Sequence, residues 1–211
     1  MRRLAILGAS GHGKVIADAA LLSGWDEVIF YDDAWPEKEM NGRWPIVGNT
    51  AALLMRILPF DGVVVGIGNN KIRLEKTQQL ALLDLPVVTI VHPSAVISPF
   101  SMIGYGSVVL ANSVVQVDTS VGVAALINTS STVDHDCVLA DGVHICPGAH
   151  LAGGVHVGEK SWIGIGSSIK QLVNIGANVM IGAGAVVVTD IVDSVTVAGV
   201  PARILCSEKK C

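Results

Sequence analysis

The chain has 211 residues, 51% hydrophobic, 15% charged and 4% aromatic, with a formal net charge of −4. That length suits one domain or two small ones with a well-buried core. So few aromatics, with no Lys/Arg run, exclude nucleic acid as an expected partner. No stretch of about 18 apolar residues runs free of Gly, Asn, Asp or Ser, so no membrane-embedded span is expected.

Met1-Arg2-Arg3 precedes an apolar stretch too short for a signal peptide, and Leu4 to Leu7 reads as a strand. A glycine-rich loop, Gly8 to Gly13, leads into an apolar-periodic helix from Val15 to Leu22. A second strand, Val28 to Tyr31, ends on Asp32-Asp33. A third apolar run, Gly62 to Ile67, reaches Gly68-Asn69-Asn70, followed by a charged helix from about Lys71 to Leu83 and a last run from Val87 to Val91. The alternation is β-α-β and predicts a small parallel sheet of Rossmann-like, α/β type.

Three polar loops thus fall at the carboxyl ends of parallel strands, where open α/β sheets bind ligands. Free amides at a helix start favour phosphate oxygens, His12 can donate to phosphate, and Asp32 or Asp33 can read a nucleoside. A nicotinamide dinucleotide needs similar parts, but the spacing here is G-x-x-G-x-G rather than G-x-G-x-x-G, and ninety residues are few for a full dinucleotide fold. A nucleoside diphosphate handle fits better.

From Val91 to Val192, seventeen consecutive six-residue units open on an aliphatic residue: Val91, Ile97, Ile103 and so on to Val187, without insertion or loss. A strict hexad means a three-sided β-helix in which one aliphatic side chain per unit points inward and three units close one coil. The expected organisation is residues 1–90 as the nucleotide-binding domain and 91–211 as the β-helix. The period alone does not reveal handedness.

Three features of the repeat call for more than packing. In Asp134-His135-Asp136 an imidazole stands between carboxylates, the arrangement of a general base whose tautomer an acid fixes. His144, His150 and His156 follow at intervals of six, a pattern that invites a metal reading as in γ-class carbonic anhydrases; places six apart lie on three different sides of a prism, so no metal site is expected. Ala198-Gly199-Val200-Pro201-Ala202-Arg203 ends the repeat with a cation that can pair with a phosphate. Cys137, Cys146, Cys206 and Cys211 have neither metal-site nor disulfide-scaffold spacing, so reduced cytoplasmic thiols are expected.

The G-A-S-G-H-G-K loop, Asp32-Asp33, Gly68 to Arg73, Asn128 to Cys137, His144 to His150 and the G-V-P-A-R ending together resemble the bacterial hexapeptide acetyltransferases acting on sialic acid or nucleotide-linked amino sugars. They are most similar to the UDP-4-amino-sugar N-acetyltransferases of the bacillosamine pathway. The resemblance implies a left-handed β-helix, acetyl-CoA as cosubstrate, and homotrimers with active sites between subunits. It makes His135 the base for the C4 amine and Asp136, where some relatives carry Glu, its orienting acid. His144, Gly153, Ile165, Ala183 and Arg203 would contact the acetyl group and coenzyme, with the Gly153 amide on the oxyanion. Gly11, His12, Asp32, Asp33, Gly68 and Asn69 would bind the UDP-sugar. A sialic acid O-acetyltransferase, or a non-catalytic β-helix binding module, would share most of these features.

Overall fold

The computed structural model describes residues 1–205; Cys206 and Cys211 lie outside the described residues. The chain opens with β1 (Arg3–Leu7), α1 (Gly11–Leu22), β2 (Glu27–Tyr31), β3 (Met40–Asn41), β4 (Trp44–Gly48), α2 (Thr50–Leu54), β5 (Gly62–Val65) and α3 (Asn70–Leu82). The sheet order is β3-β4-β2-β1-β5. β4, β2, β1 and β5 run parallel, whereas β3 is antiparallel to β4, so the sheet is mixed at one edge.

The β3–β4 hairpin and α2 were not marked by apolar periodicity, because the strands are short and β4 carries Pro45. Turn chemistry does mark them. Gly42 follows Asn41 at φ +69°, suited to a two-residue hairpin loop, and the Asn49 side chain caps α2 by accepting from Ala52 N–H at 3.0 Å. α1 begins at Gly11, four residues before the predicted Val15, since glycines at its start weaken the helical signal.

One sheet face packs on α1 through Leu4, Ile6, Val28, Phe30 and Val64; α1 is in turn covered by Val108, Leu110 and Leu126 of the β-helix. The other face, with Ala5, Leu7, Ile29 and Val65, is covered by Leu53 of α2 and Leu80 of α3. Both faces are buried, which explains why the parallel strands read as continuous apolar runs rather than alternating ones.

Seventeen two-residue strands follow, one every six residues from β6 (Ile90–Val91) to β22 (Val186–Val187), then β23 (Thr196–Ala198) and β24 (Arg203–Ile204). Strands eighteen residues apart pair in parallel, Val115 with Val133 and Ile145 with Ile163 for example, giving three faces. The hexad-opening aliphatics point inward and form one core with fifth-place Ala125, Cys137, Ala149 and Val155. Each such burial contributes about 1.5–3 kcal/mol, and only stacking supplies the partners. The fourth place takes left-handed φ in every unit from Gly106 to Gly184, which is why Gly, Asn and Asp recur there. Asp136 is one of these residues, at φ +60°.

The first face, which starts with β6, receives α1 and α3. A buried arginine fastens this seam. Arg73 of α3 is 0% exposed; its Nε donates to Ala124 O at 2.9 Å, Nη1 to Gly68 O at 3.1 Å, and Nη2 to Gly142 O and Asn70 Oδ1, both at 3.0 Å. Asn70 Nδ2 donates in turn to Lys160 O at 3.0 Å and Ser161 O at 3.2 Å. Among the described residues no helix is long and apolar enough to cross a membrane.

Candidate active site

Two clusters of chemistry stand far apart on one chain. The first is a cavity of about 350 Å³ over the carboxyl ends of β1, β2 and β5, lined by Gly8, Ser10, Asp32, Asp33, Thr50, Gly68 and Lys76 among others. Asp32 organises its floor: Oδ2 accepts from Ala9 N–H at 2.6 Å and Oδ1 from Ala34 N–H at 3.0 Å. Asp33 Oδ1 accepts from Thr50 N–H at 2.9 Å, and this bond, with the Thr50 side chain and then the nearby Lys76, holds its carboxyl below the usual carboxylate range. The first helical bond of α1 runs from Lys14 N–H to Ser10 O, so the Gly11, His12 and Gly13 amides have no partner within the helix. Gly13 must lack a side chain, since a β-carbon there would overlap Gly8 O. A β-carbon at Gly11 or at Gly68 would meet nothing within 4 Å.

Of the residues predicted for the substrate, Asp32, Asp33 and Gly68 line this cavity and Gly11 stands exposed at the helix start beside it. His12 and Asn69 point elsewhere. Asn69 caps α3 by accepting from Ile72 N–H at 3.0 Å and lines a separate cleft with Lys71 and Trp162. Thr50 and Lys76 were missed; their signals are an N-cap flank and the i, i+4 spacing of Ile72 and Lys76 on α3.

His12 lies under the seam, near His144 and Arg73. His144 sits on β15 (His144–Ile145), 5% exposed, its ring edge-on to Trp162 at 4.2 Å between centroids and its Nε2 3.0 Å from Asn128 Nδ2. Among the described residues His12 Nε2 and His144 Nδ1 are buried without hydrogen-bond partners. Burial first, then Arg73, lowers His12 to about 4; burial, Arg73 and His12 lower His144 to about 3.

Both folded-state values lie below the ordinary 6.5, so the unfolded chain binds these protons more readily. Stability is therefore fullest above about pH 6.5 and falls as pH drops toward 4. The expected result is a melting temperature that declines steadily from pH 7 to 4.5, with a shallower decline in His144→Gln. A flat profile would show that neither histidine is held neutral by the seam. His150 and His156 lie exposed on strands of the second and third faces, so the three rings diverge.

The second cluster is at the corner between the second and third faces. β13 (Thr132–Val133) and β14 (Val138–Leu139) flank it. The left-handed turn at Asp136 brings its Oδ2 to 2.7 Å from His135 Nδ1, and Asp134 Oδ1 accepts from His135 N–H at 2.9 Å. The shorter acid therefore reaches the imidazole. Asp136, chiefly through this hydrogen bond, raises the pKa of the exposed His135 ring. With the Nδ1 proton directed at a carboxylate, Nε2 carries the free lone pair. One coil further, Gly153 lies against the ring: a β-carbon there would overlap its Cε1 and Nε2. Ile165 and Ala183 occupy the same third place on another corner, between the first and second faces. Among the described residues the N–H groups of Gly153, Ile165 and Ala183 donate no hydrogen bond. Arg203, on β24, lines a cavity with Thr189 and Asp190, and its Nη1 donates to Ala202 O at 2.8 Å.

Residues 3–80 match the PglD N-terminal domain. The acetyltransferase domain of PglB from Neisseria gonorrhoeae is 44% identical, with a TM-score of 0.91 over 97% of this chain and 100% of that one; it has also been solved in complex with acetyl coenzyme A. The chain belongs to the PglB/PglD family of acetyltransferases. Within that family, PerB from Caulobacter crescentus, solved with CoA and GDP-perosamine, is 36% identical with a TM-score of 0.92 over 98% of both chains. UDP-N-acetylbacillosamine N-acetyltransferase from Bacillus subtilis is 36% identical over 103 residues, a match that spans about half of each protein, 46% of this chain and 46% of that one. The coils are thus those of a left-handed β-helix, and the family-level expectation drawn from the motifs holds.

Proposed function

We propose that the chain transfers the acetyl group of acetyl-CoA to the C4 amine of a UDP-linked 4-amino-4,6-dideoxy-N-acetylhexosamine, giving UDP-N,N′-diacetylbacillosamine. The observation that carries this reading is the His135–Asp136 pair at 2.7 Å, with Nε2 unencumbered above Gly153. The amine attacks the thioester carbonyl; the C–N bond forms, the C–S bond breaks, and the amine proton passes to His135 Nε2 and on to the coenzyme thiolate. The Gly153 N–H stabilises the oxyanion. Ile165 and Ala183 offer amides to the coenzyme and Arg203 faces its phosphate end, whereas His144, buried on the first face at the seam, lies away from the His135 corner of its own chain. Neither Cys137 nor Cys146 is needed as nucleophile; burial raises both thiols, Cys146 to about 12.

Gly11, Asp32, Asp33 and Gly68 serve the nucleotide end of the acceptor, whereas His12, buried at the seam, and Asn69, which caps α3, do not line that cavity. Because the nucleotide sheet covers the first face, it lies across the prism from the His135 corner. This placement on opposite sides of one prism supports a homotrimer with sites shared between neighbours. The Bacillus subtilis relative supports the UDP-amino-sugar assignment, and the GDP-perosamine complex of the Caulobacter crescentus enzyme supports the coarser class of nucleotide-linked amino sugars. The test is coenzyme A release from acetyl-CoA with UDP-2-acetamido-4-amino-2,4,6-trideoxyglucose, GDP-perosamine, and free or CMP-linked sialic acid. Release confined to the UDP-amino sugar is expected. Release only with sialic acid, or with none, overturns the assignment.

A further inference from the structure

The nucleotide cavity holds a cation that no part of the proposed chemistry uses. Lys76 stands one turn after Ile72 on α3, both lining the cavity, and with Leu7 and Ile67 the aliphatic residues form walls suited to a flat ring. Its charged companions there are Asp32 and Asp33. Asp32 commits each oxygen to a backbone N–H and holds the loop in shape. Asp33 commits Oδ1 to Thr50 N–H and is exposed toward the cavity; a carboxylate has further acceptor sites to offer. Lys76 forms no ion pair among the described residues, and its one hydrogen bond is a 3.5 Å contact to Gln79 Oε1. The cavity therefore presents one acceptor and one mobile donor near each other, between apolar walls.

The phosphate end is supplied separately. The free amides at the start of α1 lie beside the Gly8–Ser10 loop, where a helix N-terminus favours an anion. With the diphosphate held there, the register of the base is set by the ribose, and the base must satisfy both Asp33 and Lys76.

We infer that Lys76 determines which pyrimidine the site accepts, donating to a ring carbonyl while Asp33 accepts from the adjacent ring N–H, so that uracil is selected over cytosine. This inference rests on the UDP-sugar reading above. Uracil places N3–H beside O4; cytosine in the same register places a bare N3 against the carboxylate and an amino group against the ammonium. Both contacts are then reversed rather than merely lost, which is how polar sites reject near-isosteres.

The test is isothermal titration of the full chain with UDP and CDP, for the wild type, Lys76→Met and Lys76→Arg. The wild type is expected to bind UDP at least about tenfold more tightly than CDP. Lys76→Met should bring the two affinities to within about threefold, and Lys76→Arg, which keeps a donor, should preserve most of the preference. Equal weakening of UDP and CDP by Lys76→Met would make the lysine a phosphate ligand and overturn the inference, as would an unchanged preference. If neither nucleotide binds the wild type, the nucleotide-sugar reading fails as well, an outcome distinct from tight but indiscriminate binding.

Discussion

Replacing His135 by alanine is expected to lower turnover by at least about two orders of magnitude, the usual contribution of a positioned general base, while leaving the fold and coenzyme binding intact. The ring is exposed at a corner and carries no core packing, so its removal should not move the melting temperature. The pH profile separates this role from a structural one. A base works deprotonated, so kcat/KM should rise with pH through the His135 pKa, which Asp136 holds above the ordinary histidine value. Asp136→Asn removes the carboxylate that stabilises the imidazolium, and the rising limb should move to lower pH. Near-normal turnover in His135→Ala, or an unmoved limb in Asp136→Asn, would take the pair out of the mechanism.

Arg73→Met is expected to be the most destabilising single change at the seam between sheet and β-helix. The substitution keeps most of the volume but leaves the carbonyls of Ala124, Gly68 and Gly142 without their donor. At about 1 kcal/mol or more for each buried acceptor left unpaired, the cost is about 3 kcal/mol or above. For a chain of this size that lowers the melting temperature by about 6–12 °C. Burial already disfavours the guanidinium charge, lowering its pKa to about 10, so these carbonyls must supply what retains it. A thermal scan answers the question, and an unchanged midpoint would mean that the guanidinium bonds merely balance its desolvation.

The β-helix was legible because its rule is local. One inward aliphatic per hexad and a left-handed fourth place repeat with every coil, so Val91 to Val187 announce the prism without any knowledge of what it touches. The parallel core of the small sheet was legible for a similar reason, as Leu4 to Leu7 and Val63 to Val65 are buried on both faces. The β3–β4 hairpin and α2 escaped because turn and cap residues, not periodicity, define them. The His135–Asp136 contact was foreseeable as a pair of neighbours, but its length depends on the left-handed backbone at Asp136, and that follows from the place of the residue in its coil.

What lay beyond the sequence were the meetings of residues distant along the chain. Arg73 stands 69 residues from Gly142 and 51 from Ala124, and nothing in a run of Gly-Asn-Asn-Lys-Ile-Arg says that its arginine will be buried among carbonyls of another element. His12 and His144 read as ligand-facing histidines; folding directs one nitrogen of each into the seam, where low polarity and a neighbouring cation keep them neutral. The local repeat by itself determined the prism and the residue at each of its corners, because short-range sterics and side-chain burial act coil by coil. Only the tertiary structure decided which face the nucleotide sheet covers, since that choice depends on the summed complementarity of α1, α3 and the first face. By covering that face the sheet separates the nucleotide cavity from the base across the width of the prism.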